Sequence, residues 1–254
     1  MKPDFLLYKL LVRSLLGSLL IGLGQTSFAQ SNEEPSKFAA YGYVKYLQTS
    51  VMGTFPQLLN VNGQLALVDT FGILTNNLVH NRLNFRYYPS DKWTLALETR
   101  NRLFFGEQSR DPSFADQIDQ YNGLVDLSVR WAENNGFLLH SVIDRAYVKY
   151  AHEKWDIRVG RQRINWGINL AWNPNDLFNA YNFFDFDYEE RPGNDAIRVQ
   201  YFPGPLSNID VAFAPSDTFS QSIGALRYGF NLKGYDLQVL TGYFQGDLSF
   251  GGGW

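Results

Sequence analysis

From His80 to Tyr88 the chain reads HNRLNFRYY: Asn81, Leu83, Phe85 and Tyr87 fall on one parity, and Arg82, Asn84 and Arg86 on the other. Strand side chains point alternately to opposite faces, so this two-residue period describes a ribbon with one apolar and one charged side. A helix repeats about every 3.6 residues and would mix the two sets. The alternation returns after Pro89-Ser90-Asp91-Lys92, where Trp93, Leu95 and Leu97 oppose Thr94, Ala96, Glu98, Arg100 and Arg102. Further on, Ala146, Val148 and Tyr150 oppose Arg145, Tyr147 and Lys149, and Trp155, Ile157 and Val159 oppose Asp156 and Arg158. Ile197, Val199 and Tyr201 then oppose Arg198 and Gln200. Such a chain predicts an all-β protein whose strands separate two environments.

The connections narrow this further. Pro and Asp make 88–92 a tight turn, and 151–154, 203–208 and 233–234 have the same character. Roughly 53–79, 104–141 and 166–194 form long connections between them. Short turns at one end and long loops at the other are the plan of an antiparallel transmembrane β-barrel, an up-and-down meander. Tyr87, Tyr88, Trp93, Tyr150, Trp155, Tyr201 and Tyr235 crowd beside the short turns. A girdle at the lipid headgroup level requires that placement, whereas a soluble sandwich would bury the rings in mid-strand. The pattern predicts about nine spans, at 39–52, 80–88, 93–104, 142–150, 155–165, 195–202, 208–214, 223–232 and 235–246, with the four short turns on one side. Leu124–Trp131 is expected within the second long excursion or as an upward extension of the wall. An odd count does not close a hairpin barrel, and Gly251, Gly252 and Gly253 make a poor closing strand. The expectation is thus a barrel domain over 39–254 that is the N-terminal part of a structure of ~14–18 strands. The alternative is a complete barrel of about eight or ten strands with one hairpin misread.

The N-terminus bears on the compartment. Lys2, Lys9 and Arg13 flank an apolar stretch from Leu15 to Leu23, and Ser27-Phe28-Ala29 offers small residues before Gln30. That is the pattern of a signal peptide at 1–29. The alternative, a membrane anchor, has an apolar core short of the ~20 residues a spanning helix needs. Residues 30–38 make a polar, flexible leader. After it no apolar run reaches the ~18 residues of a helical span. The expectation is an exported protein of the Gram-negative outer membrane, with lipid as one partner. The chain of 254 residues contains no cysteine, which removes disulfide scaffolds, Cys-ligated zinc, iron–sulfur clusters and thiol catalysis. A formal charge of −3 leaves no basic stripe for nucleic acid.

The densest segment contains Val159-Gly160-Arg161-Gln162, then Trp166-Gly167, then Asn173-Pro174-Asn175-Asp176. These motifs resemble the porin-like outer-membrane barrels of the phosphate-selective and alginate-export type. The resemblance covers about 140–215 by motif and the rest by strand pattern. It implies passage of a hydrophilic solute or an exported saccharide, without naming it.

The charged parity supplies the pore-lining candidates: Arg82, Arg86, Glu98, Arg100, Arg102, Arg145, Lys149, Asp156, Arg158 and Arg198. Arginine stays charged and presents a planar fork of donors, which suits a ladder for anions or sugar hydroxyls. The plainer reading is that these arginines pair with Glu98, Asp144 and Asp156 and brace a wet lumen. Arg161 and Arg163 sit on the opposite parity from Arg158, so they call for a bulge or a place on the loop. With Asn173, Asp176, Asp185, Asp187, Glu189 and Arg191 they form the candidate constriction loop at 166–194. The acidic run there only loosely resembles a calcium loop, because the glycine at the sixth position is missing.

No catalytic, metal or cofactor site is expected. His80, His140 and His152 have no metal-binding spacing, and adjacent strand residues His140 and Ser141 point to opposite faces. No GxSxG occurs. The sequence therefore reads as a passive channel rather than an enzyme, in a form compatible with a homotrimer. The alternatives are a non-conducting adhesion or glycan-binding barrel, and a secreted β-sandwich.

Overall fold

A computed structural model describes residues 36–61, 64–119, 124–168, 175–178 and 193–254, without side chains at 55–61 and 64–69. The signal-peptide segment, nearly all of the leader and the loop residues Asn173, Asp185, Asp187, Glu189 and Arg191 lie outside the described residues. The fold is an all-β antiparallel meander. Its strands are β1 (Phe38–Val61), β2 (Gln64–Ser90), β3 (Trp93–Gly106), β4 (Ser128–Asn134), β5 (Phe137–His152) and β6 (Trp155–Gln162). They continue with β7 (Asn194–Gly204), β8 (Ser207–Ala214), β9 (Ile223–Leu232), β10 (Tyr235–Phe244) and β11 (Asp247–Gly253). A short helix, α1 (Phe114–Ile118), lies between β3 and β4. Neighbours in sequence are neighbours in the sheet, except that β3 pairs with β5 and β4 adds to β5 from the side. Among the described residues β1 and β11 are the edges, and the sheet is not closed.

The expected arrangement of turns holds. The connections at 91–92, 153–154, 205–206 and 233–234 all fall at one edge, because every pairing along the path is antiparallel. Lys233-Gly234 and Gln245-Gly246 both have positive φ at each residue, the two-residue hairpin loop whose twist matches that of the strands it joins.

Three expectations are corrected. The long connection at 53–79 is instead a continuous hairpin: β1 and β2 stay in register from Phe38↔Tyr87 to Val61↔Gln64. The excursion at 104–141 contains β4 and the first part of β5, which starts at Phe137 rather than 142. Leu124–Trp131 does extend the wall, since β4 pairs with β5 from Ser128↔Val142 to Asn134↔Phe137. The ladder of β5 to β6 begins only below that, at Ala146↔Arg161. The extra residue of a bulge, Asp144, separates the two halves of β5, with Glu98 opposite Arg145 and Thr99 opposite Ile143. Lastly, the triple glycine does form a strand. A Cβ on Gly251 would meet Asn175 Oδ1 at 2.4 Å and one on Gly253 would meet Ile168 Cδ1 at 2.5 Å. Glycine is there to admit a segment of chain, which outweighs its poor strand propensity. Among the described residues the path therefore has ten strands, not nine, with β4 beside it.

The two faces differ as the alternation requires, with the polarity of a soluble sheet reversed. One face carries exposed apolar side chains, among them Val44, Leu95, Val148, Val159, Ile197, Val211 and Val239. The other carries buried polar ones, among them Arg82, Glu98, Arg100, Arg102, Arg145 and Asp210. We call these the outer and inner faces. Two segments lie on the inner face. Around α1, Phe114 and Ala115 pack on Leu78, Phe104 and Leu138. After β6 the chain carries Ile164 and Trp166, with Leu177 and Phe178, onto Ala196, Ala212, Ala225 and Leu240. The alanines of β7–β9 leave the depth that the indole fills.

Candidate functional site: the charged inner face

The inner face is assembled by register. Asn84, Glu98 and Arg145 form one transverse row across β2, β3 and β5, and Arg82 and Arg100 form part of the row above it. Arg82 bridges them: its Nη1 donates to Asp144 Oδ2 at 2.9 Å, and its Nη2 pairs with Glu98. Arg86 pairs with the other oxygen of Glu98, and Arg145 Nη1 lies 2.9 Å from Asp144 Oδ2. The bulge places Asp144 between two arginines, so Arg82, Arg86, Arg145, Glu98 and Asp144 each have an opposite partner at contact distance. Isolated, any of them would be strongly unfavourable at this depth.

Lower on the face, Lys149 Nζ is 2.8 Å from Asp156 Oδ2 and Arg158 Nε is 3.3 Å from Oδ1. The guanidinium carbons of Arg86 and Arg158 lie 5.9 and 5.7 Å from the centre of the Tyr147 ring. All ten pore-lining candidates read from the sequence share this face. The bracing reading describes Arg82, Arg86, Arg145, Arg158 and Arg198, each of which has an acidic partner.

Sequence reasoning missed the second centre, at Asp210 of β8. This fully buried carboxylate accepts from Trp166 Nε1 at 2.9 Å, from Arg198 Nη2 at 2.5 Å and from Gln200 Nε2 at 3.2 Å, with Arg227 at 3.5 Å. Gln238 Nε2 donates to the Trp166 carbonyl at 3.1 Å, and Asn175 Nδ2 donates to the Gly252 carbonyl at 3.0 Å. The segment after β6 is thus fastened across β8, β10 and β11. Asp210 was legible as the one acid on the inner parity of β8, but nothing in the sequence joined it to Trp166.

The constriction-loop candidates divide. Arg161 belongs to β6, on the outer parity, and its pairing with β5 and β7 carries no bulge. Its Nε donates to Asp195 Oδ1 at 2.9 Å and its Nη1 to the Ile143 carbonyl at 3.1 Å, while Val125 closes over the pair. It fastens β5, β6 and β7 together. Arg163 lies in the segment just beyond β6, and Asp176 is buried in the 175–178 segment. Among the described residues no cluster of three or more His, Asp and Glu side chains is arranged to hold a metal ion.

On the outer face, Trp93 and Tyr150 pack at 4.9 Å, and Trp155 and Tyr201 at 4.6 Å, beside the short turns. Higher on the same face a polar row crosses four strands. Asn101 Nδ2 donates to Asn81 at 3.1 Å, Ser141 Oγ to Asn101 at 2.6 Å, and Trp131 Nε1 to Ser141 at 2.9 Å. No helix among the described residues is long and apolar enough to cross a membrane, which says nothing about crossing by strands.

Gly160 gives a direct check on the wall. Its φ is +116°, and a Cβ there would lie 2.3 Å from the Ala146 carbonyl oxygen. Gly160→Ala is expected to destabilise the sheet by about 2–4 kcal/mol through strain and overlap. Urea titration of the protein in detergent reads this as a lower midpoint; an unchanged midpoint contradicts the close pairing of β5 with β6.

Comparison with protein-family models, with curated proteins and with solved structures finds no match for this chain.

Proposed function

We propose that the chain forms the wall of an exported outer-membrane β-barrel. In this reading small hydrophilic solutes, or a saccharide being exported, diffuse passively through its charged interior. The observation that carries the reading is the inverted polarity of the sheet: exposed aliphatic side chains on one face and a buried network of arginines and acids on the other. In water such an outer face would be an aggregation liability, whereas in lipid it is the required surface. From Trp93 to Asn101, eight residues of a strand tilted by about 40° rise ~21 Å, close to the ~25 Å apolar band of such barrels. The ring cluster below and the Asn81–Asn101–Ser141 row above match its two boundaries.

The interior charge leans basic. On β1–β6, Lys45, Arg82, Arg86, Arg100, Arg102, Arg130, Arg145, Lys149 and Arg158 face Glu98, Glu133, Asp144 and Asp156. Rings of one sign set selectivity in a pore. The purified protein in planar bilayers is expected to give discrete conductance steps, and in a salt gradient a reversal potential of the sign that favours anions. Cation preference would overturn the anion reading, and absence of steps would favour the closed, glycan-binding or adhesive barrel. The second reading has one observation on its side, the Trp166 segment seated across the interior at β7–β10.

A further inference from the structure

One transverse row of the inner face is basic from end to end. Register aligns Lys45 of β1, His80 of β2, Arg102 of β3, His140 of β5 and Arg130 of β4. The counter-charge comes from the inner-face segment itself. Arg130 Nε donates to Asp119 at 2.7 Å and its Nη2 to Asp116 at 2.7 Å. His140 Nε2 lies 2.8 Å from Asp119 Oδ1, and Arg102 Nη2 lies 3.2 Å from His140 Nδ1 and 3.3 Å from the Ile118 carbonyl. Asp119, at the C-terminal end of α1, is therefore the point where the segment is tied to the row.

The geometry fixes the protonation state of the tie. A guanidinium has only donors, so His140 Nδ1 must accept and cannot carry a proton. Nε2 then carries the hydrogen and donates to Asp119. Burial disfavours ionisation of the Asp119 carboxyl, but its interactions with His140, Ser128 and Arg130 outweigh that and hold it well below the usual carboxylate range. Asp119 thus stays charged throughout the titration of a histidine. The charged groups facing His140 are Arg102 and Arg100 of β3, Arg130 of β4 and Asp119, with Asp116 behind Arg130. A proton on Nδ1 would remove the acceptor of Arg102 and add a cation beside three arginines. The one carboxylate among the described residues that contacts His140, Asp119, is already shared with Arg130.

We propose that His140, Arg102 and Asp119 form a proton-sensitive latch that holds the Ile118–Asp119 end of the inner-face segment down at neutral pH and releases it in acid. The hinge is the Phe114 cluster on Phe104 and Leu138. The sign follows from linkage. The latched form needs a neutral imidazole, while the released one has an ordinary histidine that protonates near pH 6.5. The ratio of latched to released therefore falls by up to tenfold for each pH unit below about 6.5. As gating of a passage the latch rests on the channel reading; as a local opening it does not.

Hydrogen exchange of the full chain in detergent micelles, corrected for the intrinsic pH dependence of exchange, tests it through peptides covering 108–119. Protection is expected to fall about tenfold from pH 7.5 to 5.5. In His140→Gln the amide can accept from Arg102 and donate to Asp119 without titrating, so protection should stay flat. Asp119→Asn, which keeps the shape and loses the charge, should already be unprotected at pH 7.5. Protection in the wild-type chain that does not change with pH, or an equal fall in His140→Gln, overturns the latch, as does full protection in Asp119→Asn. If these results hold while the protein conducts at no pH, the latch stands and the channel reading fails.

Discussion

Asp210→Ala is expected to cost about 3–5 kcal/mol, because it strands Arg198 and Arg227 on the inner face with no acid between them. Asp210 is fully buried and is the shared acceptor of Trp166, Arg198 and Gln200. Most of the cost comes from the charges left behind, so it should shrink when one of them is removed as well. Asp210→Ala combined with Arg198→Leu should recover a substantial part of the loss, a coupling that a double-mutant cycle in urea reads directly. Additive losses would mean that Asp210 and Arg198 act independently and that the centre is not a unit.

On the channel reading, Trp166→Ala has the larger expected consequence for transport. The indole is almost fully buried among Phe178 and the alanines of β7–β9 and donates to Asp210. Removing a side chain of that size from a packed site costs about 3–5 kcal/mol, here drawn mainly from the seat of the segment after β6. Wall strands keep their own ladders, so the sheet should still form while the segment lifts. Single-channel conductance is then expected to rise at least twofold. A conductance equal to that of the wild-type channel would show that the passage is restricted elsewhere, with the α1 segment as the next candidate.

Strand existence and facing were legible because they depend on local alternation, and each inner-face candidate from Arg82 to Arg198 lies where its parity puts it. Strand length was not. At Thr49–Leu59 the pattern of β1 loses its clean two-sidedness, yet the chain stays paired with β2 out to Val61. Backbone pairing needs only a partner strand, whatever the side-chain pattern. The glycines of β11 failed for the opposite reason: their use depends on Ile168 and Asn175, about eighty residues away in sequence. Arg161 was correctly placed off the parity of Arg158, but its role came from Asp195 and Val125, which no local rule brings together. The centres at Asp210 and Asp119 were hidden in the same way, since each joins a wall strand to a segment folded back from a long connection.

The extra residue at Asp144 reverses the parity of everything in β5 above it. Below the bulge Arg145 and Tyr147 face inward; above it His140 and Val142 do, while Ser141 and Ile143 turn out. Pairing Asp144 in line opposite Thr99, with no bulge, would evert the upper half of the strand. His140 would leave Asp119, Ser141 would abandon the row shared with Asn101, and an isoleucine would enter the arginine cluster. The facing of the upper half of β5 therefore rests on one residue staying out of the ladder, not on the length of the strand. A frame of one residue at position 144 separates two incompatible molecules.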